Sequence, residues 1–311
     1  MKKSSLVKLC VLVMIFLSVT FTVFSANEAE NVTTVVNFID RVMNQKDYSY
    51  IDDYIHPAGY TSRIIDNEMY HEGAFFVPSQ MDEHLKRNFH GTEENPHDVK
   101  WVILDMAADG DVVFTHLAIR GTLSNGTEIG WNAIVLYHLE EGRLVKETTA
   151  SNSSYVTAQL TGKVETECEK IDKNISVHFN PPEAPQNESE NAAMAVEFLK
   201  ALENNRLEDV EELMHEDFKM LTSGINAPVL AFDELLEQSK TKRKQLGDKI
   251  RELNFMDLAS DGDLVFTHTL AEDFTGTGEK YEHETIQMFT FKEGKIYSLN
   301  LYVDSEAFKT E

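Results

Sequence analysis

The chain writes one short stretch twice. Residues 106–116 read MAADGDVVFTH and residues 258–268 read LASDGDLVFTH, identical at eight of the eleven positions. The copies lie 152 residues apart, and the register holds without a gap as far as Glu141-Gly142 and Glu293-Gly294. Solenoid repeats recur every 20–50 residues or so. This spacing therefore predicts two copies of a whole domain, and 311 residues leave room for each to bury its own core.

Each copy begins with helical periodicity and ends in strands. Val32, Val35, Ile39, Val42 and Met43 recur at helical spacing over 31–44, as do Met194, Ala195, Phe198, Leu199 and Leu202 over 190–204. A second short helix is expected at 50–56 and 207–215, with Pro57 ending the first of these, and a third near 78–89 and 232–245. Four strands follow, at 100–107, 112–122, 128–139 and 143–151. Their counterparts are 253–259, 264–274, 280–291 and 295–303. The turns between them are Asp-Gly-Asp, Asn-Gly and Glu-Gly hairpin signals. Helices first and an antiparallel meander last is the α+β pattern. Residues 161–189 are polar and carry Asn180-Pro181-Pro182-Glu183-Ala184-Pro185, the composition of a linker.

Residues 1–26 read as a cleaved signal peptide: Lys2, Lys3 and Lys8, an apolar run from Leu9 to Phe24, and small residues ending at Ala26. The run is short for a membrane span of about 20 residues. The expected location is secreted or extracytoplasmic, with no membrane attachment after cleavage. The boundaries are then 1–26 for the signal, 27–160 for the first domain, 161–189 for the linker and 190–311 for the second domain. Cys168 is the one cysteine left after cleavage, so neither an internal disulfide nor a cysteine-pair metal site is available. A formal charge of −25 without a basic patch argues against nucleic acid as a partner. Sequons stand at Asn31, Asn125, Asn152, Asn174 and Asn187, of use only in a eukaryotic source.

Three helices followed by four strands, with Gly110-Asp111, Gly121-Thr122 and Glu141-Gly142-Arg143-Leu144-Val145 in the first copy, resembles the nuclear transport factor 2-like superfamily. Gly262-Asp263 and Glu293-Gly294-Lys295-Ile296 carry the likeness in the second copy. His56-Pro57 and His215-Glu216-Asp217-Phe218 look like that family's Pro-Asp-Phe segment. The closest likeness is to the SnoaL-like polyketide cyclase and ester cyclase branch. The resemblance implies two tandem cone-shaped domains, each a curved antiparallel sheet wrapped by about three N-terminal helices around a pocket for a small molecule. It also implies pairing of the two domains within the chain through their sheets, since lone domains of this superfamily often pair. In the family's cyclases a pocket Asp near the end of the last strand is the general acid/base. That position falls on Asn152 and Asp304 here, and an amide cannot take the proton a carboxylate can. The family's tryptophan four residues earlier is replaced by Thr148 and Asn300.

Along the last strand, Tyr297, Leu299, Leu301 and Val303 share an apolar face, and Ser298, Asn300, Tyr302 and Asp304 the other. If the polar face lines the cone, Asp304 is the candidate catalytic acid, with His268 beside it. The candidate ligand-binding residues are His116, Arg120, Asn152, Asn300 and Tyr302. His116 and His268 occupy equivalent mid-strand positions, open to a proton-transfer role, a ligand-anchoring role or a core role. Neither the Asp-Gly-Asp turns nor His71, His84, His90 and His97 have metal-ligand spacing, so no metal or cofactor is expected. The leading functional expectation is an exported protein whose cones bind a small, mostly apolar or weakly cationic molecule, with no reaction assigned. A cyclase or isomerase using Asp304, and a non-catalytic interaction module, stand as alternatives.

Overall fold

The computed structural model of the chain describes residues 27–65, 73–89, 91–92, 95–96, 98–123, 125–151, 159, 188–222, 229–246, 252–274 and 280–303. The leader, most of the linker, and positions 152 and 304 lie outside the described residues. Among those described, no helix is long and apolar enough to cross a membrane.

The first half opens with α1 (27–44), α-helical to residue 37 and then π-helical over Phe38–Asn44. A 3-10 turn over Tyr48–Tyr50 runs into the single turn α2 (Ile51–Tyr54). Next come β1 (Tyr60–Ile64), β2 (Ala74–Phe76), α3 (Pro78–Phe89) and the two-residue strands β3 (Gly91–Thr92) and β4 (Asn95–Pro96). The meander is β5 (Asp98–Asp109), β6 (Val112–Thr122), β7 (Glu128–Glu140) and β8 (Arg143–Ser151). The second half repeats the plan with α4 (Glu188–Glu203), a 3-10 helix over Leu207–Leu213, β9 (Met214–Thr222), β10 (Val229–Ala231), α5 (Phe232–Leu246), β11 (Leu253–Asp261), β12 (Leu264–Phe274), β13 (Lys280–Lys292) and β14 (Lys295–Val303). The fold is α+β, with two tandem domains and the helices mainly N-terminal to each sheet.

Each sheet has six strands, ordered β2-β1-β8-β7-β6-β5 and β10-β9-β14-β13-β12-β11. Both are mixed rather than purely antiparallel. β1 lies parallel to β8, with Ser62 beside Glu147, and β9 parallel to β14, with Met220 beside Leu299. A parallel pair needs a long crossover, and the helix and the strands between the partners supply one. The hairpin turns come from residues able to take the left-handed region. Glu141-Gly142 and Glu293-Gly294 have φ of 52° and 72°, and 54° and 72°, the two positive values of a type I′ turn. Asn31 and Asn191 fasten the first helix of each half to the Asp-Gly-Asp hairpin, each donating through Nδ2 at 2.9 Å to the carbonyl of Gly110 or Gly262.

The strands' two-residue period separates two kinds of core. Inside the first cone, Val113, Leu117, Ile119, Val135 and Tyr137 pack against Phe38, Ile39, Val42 and Leu85. Inside the second, Val265, Phe289 and Leu299 pack against Phe198 and Leu199. The opposite sheet faces meet each other in a third core, where Ala107, Phe114, Ile134 and Leu136 pack with Ala259, Phe266, Ile286, Met288 and Tyr302. Phe114 and Phe266, equivalent positions of the repeat, stack there with centroids 5.5 Å apart and planes 19° from parallel.

Candidate functional site

The first cone holds a carboxylate. Strand alternation turns Glu147 of β8 inward, and its parallel neighbour β1 brings Tyr60 and Ser62 to it. The Tyr60 hydroxyl donates to Glu147 Oε2. Ser62 and Thr149 hydroxyls donate to Oε1 at 3.2 and 3.1 Å. Tyr60 and Tyr137 are fully buried. Burial pushes the Glu147 carboxyl above its usual range, and the three hydroxyl hydrogen bonds pull the other way. Burial, and then the charge of Glu147, raise both tyrosine hydroxyls well above theirs. A carboxyl lifted by burial and held by hydroxyls can accept or give a proton, or receive a donor from a ligand.

Phe38, Met43, Met81, His84, Leu85, Trp101 and Tyr137 close a small cavity over Glu147 and Ser62. Its free volume is about 10 Å³, the room of one water. A larger ligand has to displace part of this wall.

The second cone lacks this arrangement. Where the first half has Glu147, Thr149, Tyr137, Tyr60 and Ser62, the repeat register puts Leu299, Leu301, Phe289, Phe218 and Met220. Its interior polar groups satisfy one another: Thr267 donates to Gln287 at 2.5 Å, Gln287 to Thr269 at 2.9 Å, and Thr269 pairs with Thr285 at 2.8 Å. Such a closed set is a core feature.

The described members of the sequence-derived site lie on the other side of the sheets. Tyr302 belongs to the core between the halves, and Asn300 shares its strand face. The polar face of β14 thus faces the first half, while Leu299 and Leu301 face the cone. His116 bonds Asp105 through Nδ1 at 2.9 Å. Arg120 donates to the carbonyls of Ile119 and Trp131 at 2.7 and 2.6 Å and to Asn132 Oδ1 at 2.9 Å. Burial raises the Tyr302 hydroxyl, with the charge of Arg120 acting against it. His268 sits between two carboxylates, Asp257 Oδ2 at 2.8 Å and Glu284 Oε1 at 2.5 Å. Asp304 and Asn152 are outside the described residues. Glu147, Tyr60 and Ser62 were not anticipated, although setting Glu147 beside its repeat counterpart Leu299 would have marked it.

Residues 35–147 match the model of the SnoaL-like domain. No curated protein matches the chain. Among solved structures, a candidate SnoaL-like polyketide cyclase from Jannaschia sp. CCS1 is 16% identical, covering 43% of this chain and 94% of its own, with a TM-score of 0.37. A candidate polyketide cyclase from Acidithiobacillus ferrooxidans is 20% identical over 43% and 96%, with a TM-score of 0.36. An LEH-like epoxide hydrolase from M. tuberculosis is 18% identical over 39% and 87%, with a TM-score of 0.32.

Proposed function

Taking residues 35–147 as a SnoaL-like domain, we propose that the chain is an exported small-molecule-binding protein whose first cone holds the ligand and whose second cone is its structural partner. One observation carries this reading: Glu147, cradled by three hydroxyls inside the first cone, is replaced by a fully buried Leu299 in the second. A carboxyl set among apolar walls and held by hydroxyls is the usual make-up of a ligand site, a few polar groups in an apolar hollow. The ligand is compact and mostly apolar, with one hydroxyl or amine to meet Glu147. It enters by displacing Met81, His84 and Leu85.

A second reading rests on the raised Glu147 carboxyl beside the Tyr60 hydroxyl. That pair suits general acid/base chemistry of the cyclase or isomerase kind, and it moves the acid from Asp304 to Glu147.

The test is native mass spectrometry of the protein purified from its own source, comparing the wild type with Glu147→Leu. A small molecule carried by the wild type and lost from the variant is the expected result. Equal occupancy, or none on either, removes the first cone as the site.

A further inference from the structure

The face between the two halves carries a chain of charged groups that closes on one side only. His268 of β12 is fully buried. Its Nδ1 meets Asp257 of β11 at 2.8 Å and its Nε2 meets Glu284 of β13 at 2.5 Å. From the first half, Arg63 of β1 donates to Glu284, and His138 of β7 reaches Asp257 Oδ1 at 3.1 Å. A neutral imidazole has one N–H, so two ionised carboxylates at its two nitrogens require both to donate. His268 is therefore an imidazolium in this arrangement.

At the equivalent place in the first half, His116 keeps its aspartate, Asp105, at 2.9 Å, but its Nε2 has no partner among the described residues. The position matching Glu284 is Asn132, which accepts from Arg120. The completed clasp belongs to the second half alone, and both of its outer groups, Arg63 and His138, come from the first.

We propose that protonation of His268 gates the docking of the two halves, holding them together as imidazolium and loosening them when the proton leaves. Deprotonation turns the fully buried ring from a double donor into a single one. One carboxylate, Asp257 or Glu284, then faces a nitrogen lone pair, a desolvated charge without its counter-charge. The groups facing the ring from every side are Asp257, Glu284, Arg63 and His138. Burial pushes the histidine down, and the hydrogen bonds and charges of Asp257 and Glu284 outweigh it, lifting the ring above its ordinary value. Both carboxylates are held below theirs by the same contacts. The signs give a window. The histidine's contribution is full below about pH 6.5 and is lost as pH rises through its lifted value; the carboxylates' contribution is present above about pH 4.5 and fades on acidification.

The experiment is hydrogen–deuterium exchange of the full chain from pH 6 to 9.5, corrected for the intrinsic rate, read on peptides from β6 and β12. Protection of the docked faces should fall by up to about tenfold per pH unit between about pH 6.5 and the lifted value, the limit for one linked proton, and level off above it; the midpoint of that fall is the quantity compared among variants. Glu284→Gln removes one carboxylate and moves the midpoint to lower pH. His138→Gln leaves it in place. Protection that is flat with pH in the wild type overturns the proposal. So does a midpoint that follows His138→Gln instead of Glu284→Gln. If Glu284→Gln proves unstable, Asp257→Asn carries the same expected downward shift.

Discussion

Phe266→Ala tests the packing of the halves through a probe that the sequence supplies by chance. The chain has two tryptophans, Trp101 and Trp131, and both lie in the first half. Tryptophan fluorescence therefore reports unfolding of that half alone. Phe266 belongs to the second half, is fully buried, and stacks on Phe114 of the first at 5.5 Å. Truncating a buried Phe costs about 3–5 kcal/mol in total, and an aromatic pair adds about 0.5–1.5 kcal/mol beyond its area. With the ring shared between two sheets, the lost pair puts about 1 kcal/mol of the loss on the first half, the middle of that range. In guanidinium chloride, with a slope of about 3 kcal/mol per molar for a domain of this size, the fluorescence midpoint drops by about 0.3 M. A cycle with Phe114→Ala should then give a coupling of about 1 kcal/mol. An unmoved tryptophan midpoint in Phe266→Ala, with the second half still folded by circular dichroism, would refute the packing argument.

Three more outcomes follow from the same geometry. The raised Glu147 carboxyl means that the folded state holds its proton to higher pH than the unfolded chain, so stability falls as pH rises from the ordinary carboxylate range through the raised value. Glu147→Leu should remove that slope in urea titrations taken across pH 4–8; parallel curves for variant and wild type would exclude the assignment. Gly121→Ala should cost about 1–3 kcal/mol, because a Cβ there would stand 2.5 Å from the Asp98 carbonyl and 2.9 Å from Val99 Cα, backbone that cannot step aside; thermal melting reads it. Glu293→Asn should stabilise the second half by about 0.5–1 kcal/mol, since Glu293 holds φ at 54° as the first central residue of a type I′ turn and asparagine tolerates that region better; a melting point that falls would count against the turn.

Strand positions were legible in the sequence, because period-two alternation and Gly-containing turns are local. β6, β8, β12 and β14 begin and end where the pattern puts them. The sense of the faces was not legible. On β14 alternation separates Leu299 and Leu301 from Asn300 and Tyr302, yet it is silent on which set meets a helix and which meets the other sheet. In an isolated domain a polar face points to water or to a ligand. Here the presence of a second sheet turns it into an interface, and the candidate residues Arg120, Asn300 and Tyr302 went with it. The parallel pairing that brings Tyr60 and Ser62 to Glu147 was equally out of reach, since it joins residues about 85 positions apart through a short strand with little pattern of its own.

The two copies differ in where their polar groups lie. The first keeps a hydroxyl-lined carboxyl in its cone, where burial without a cation is a cost a purely structural core would shed. The second has shed it: leucine, phenylalanine and methionine occupy the same positions, and the remaining polar side chains satisfy each other. On the shared face the distribution is reversed. The second half carries the complete His268 clasp, and the first retains only the His116–Asp105 pair. Here the polar interior lies on one side and the charged docking face on the other, joined at β1, whose Ser62 holds Glu147 while the next residue, Arg63, holds Glu284. A single short strand thus touches both the Glu147 cradle and the His268 clasp.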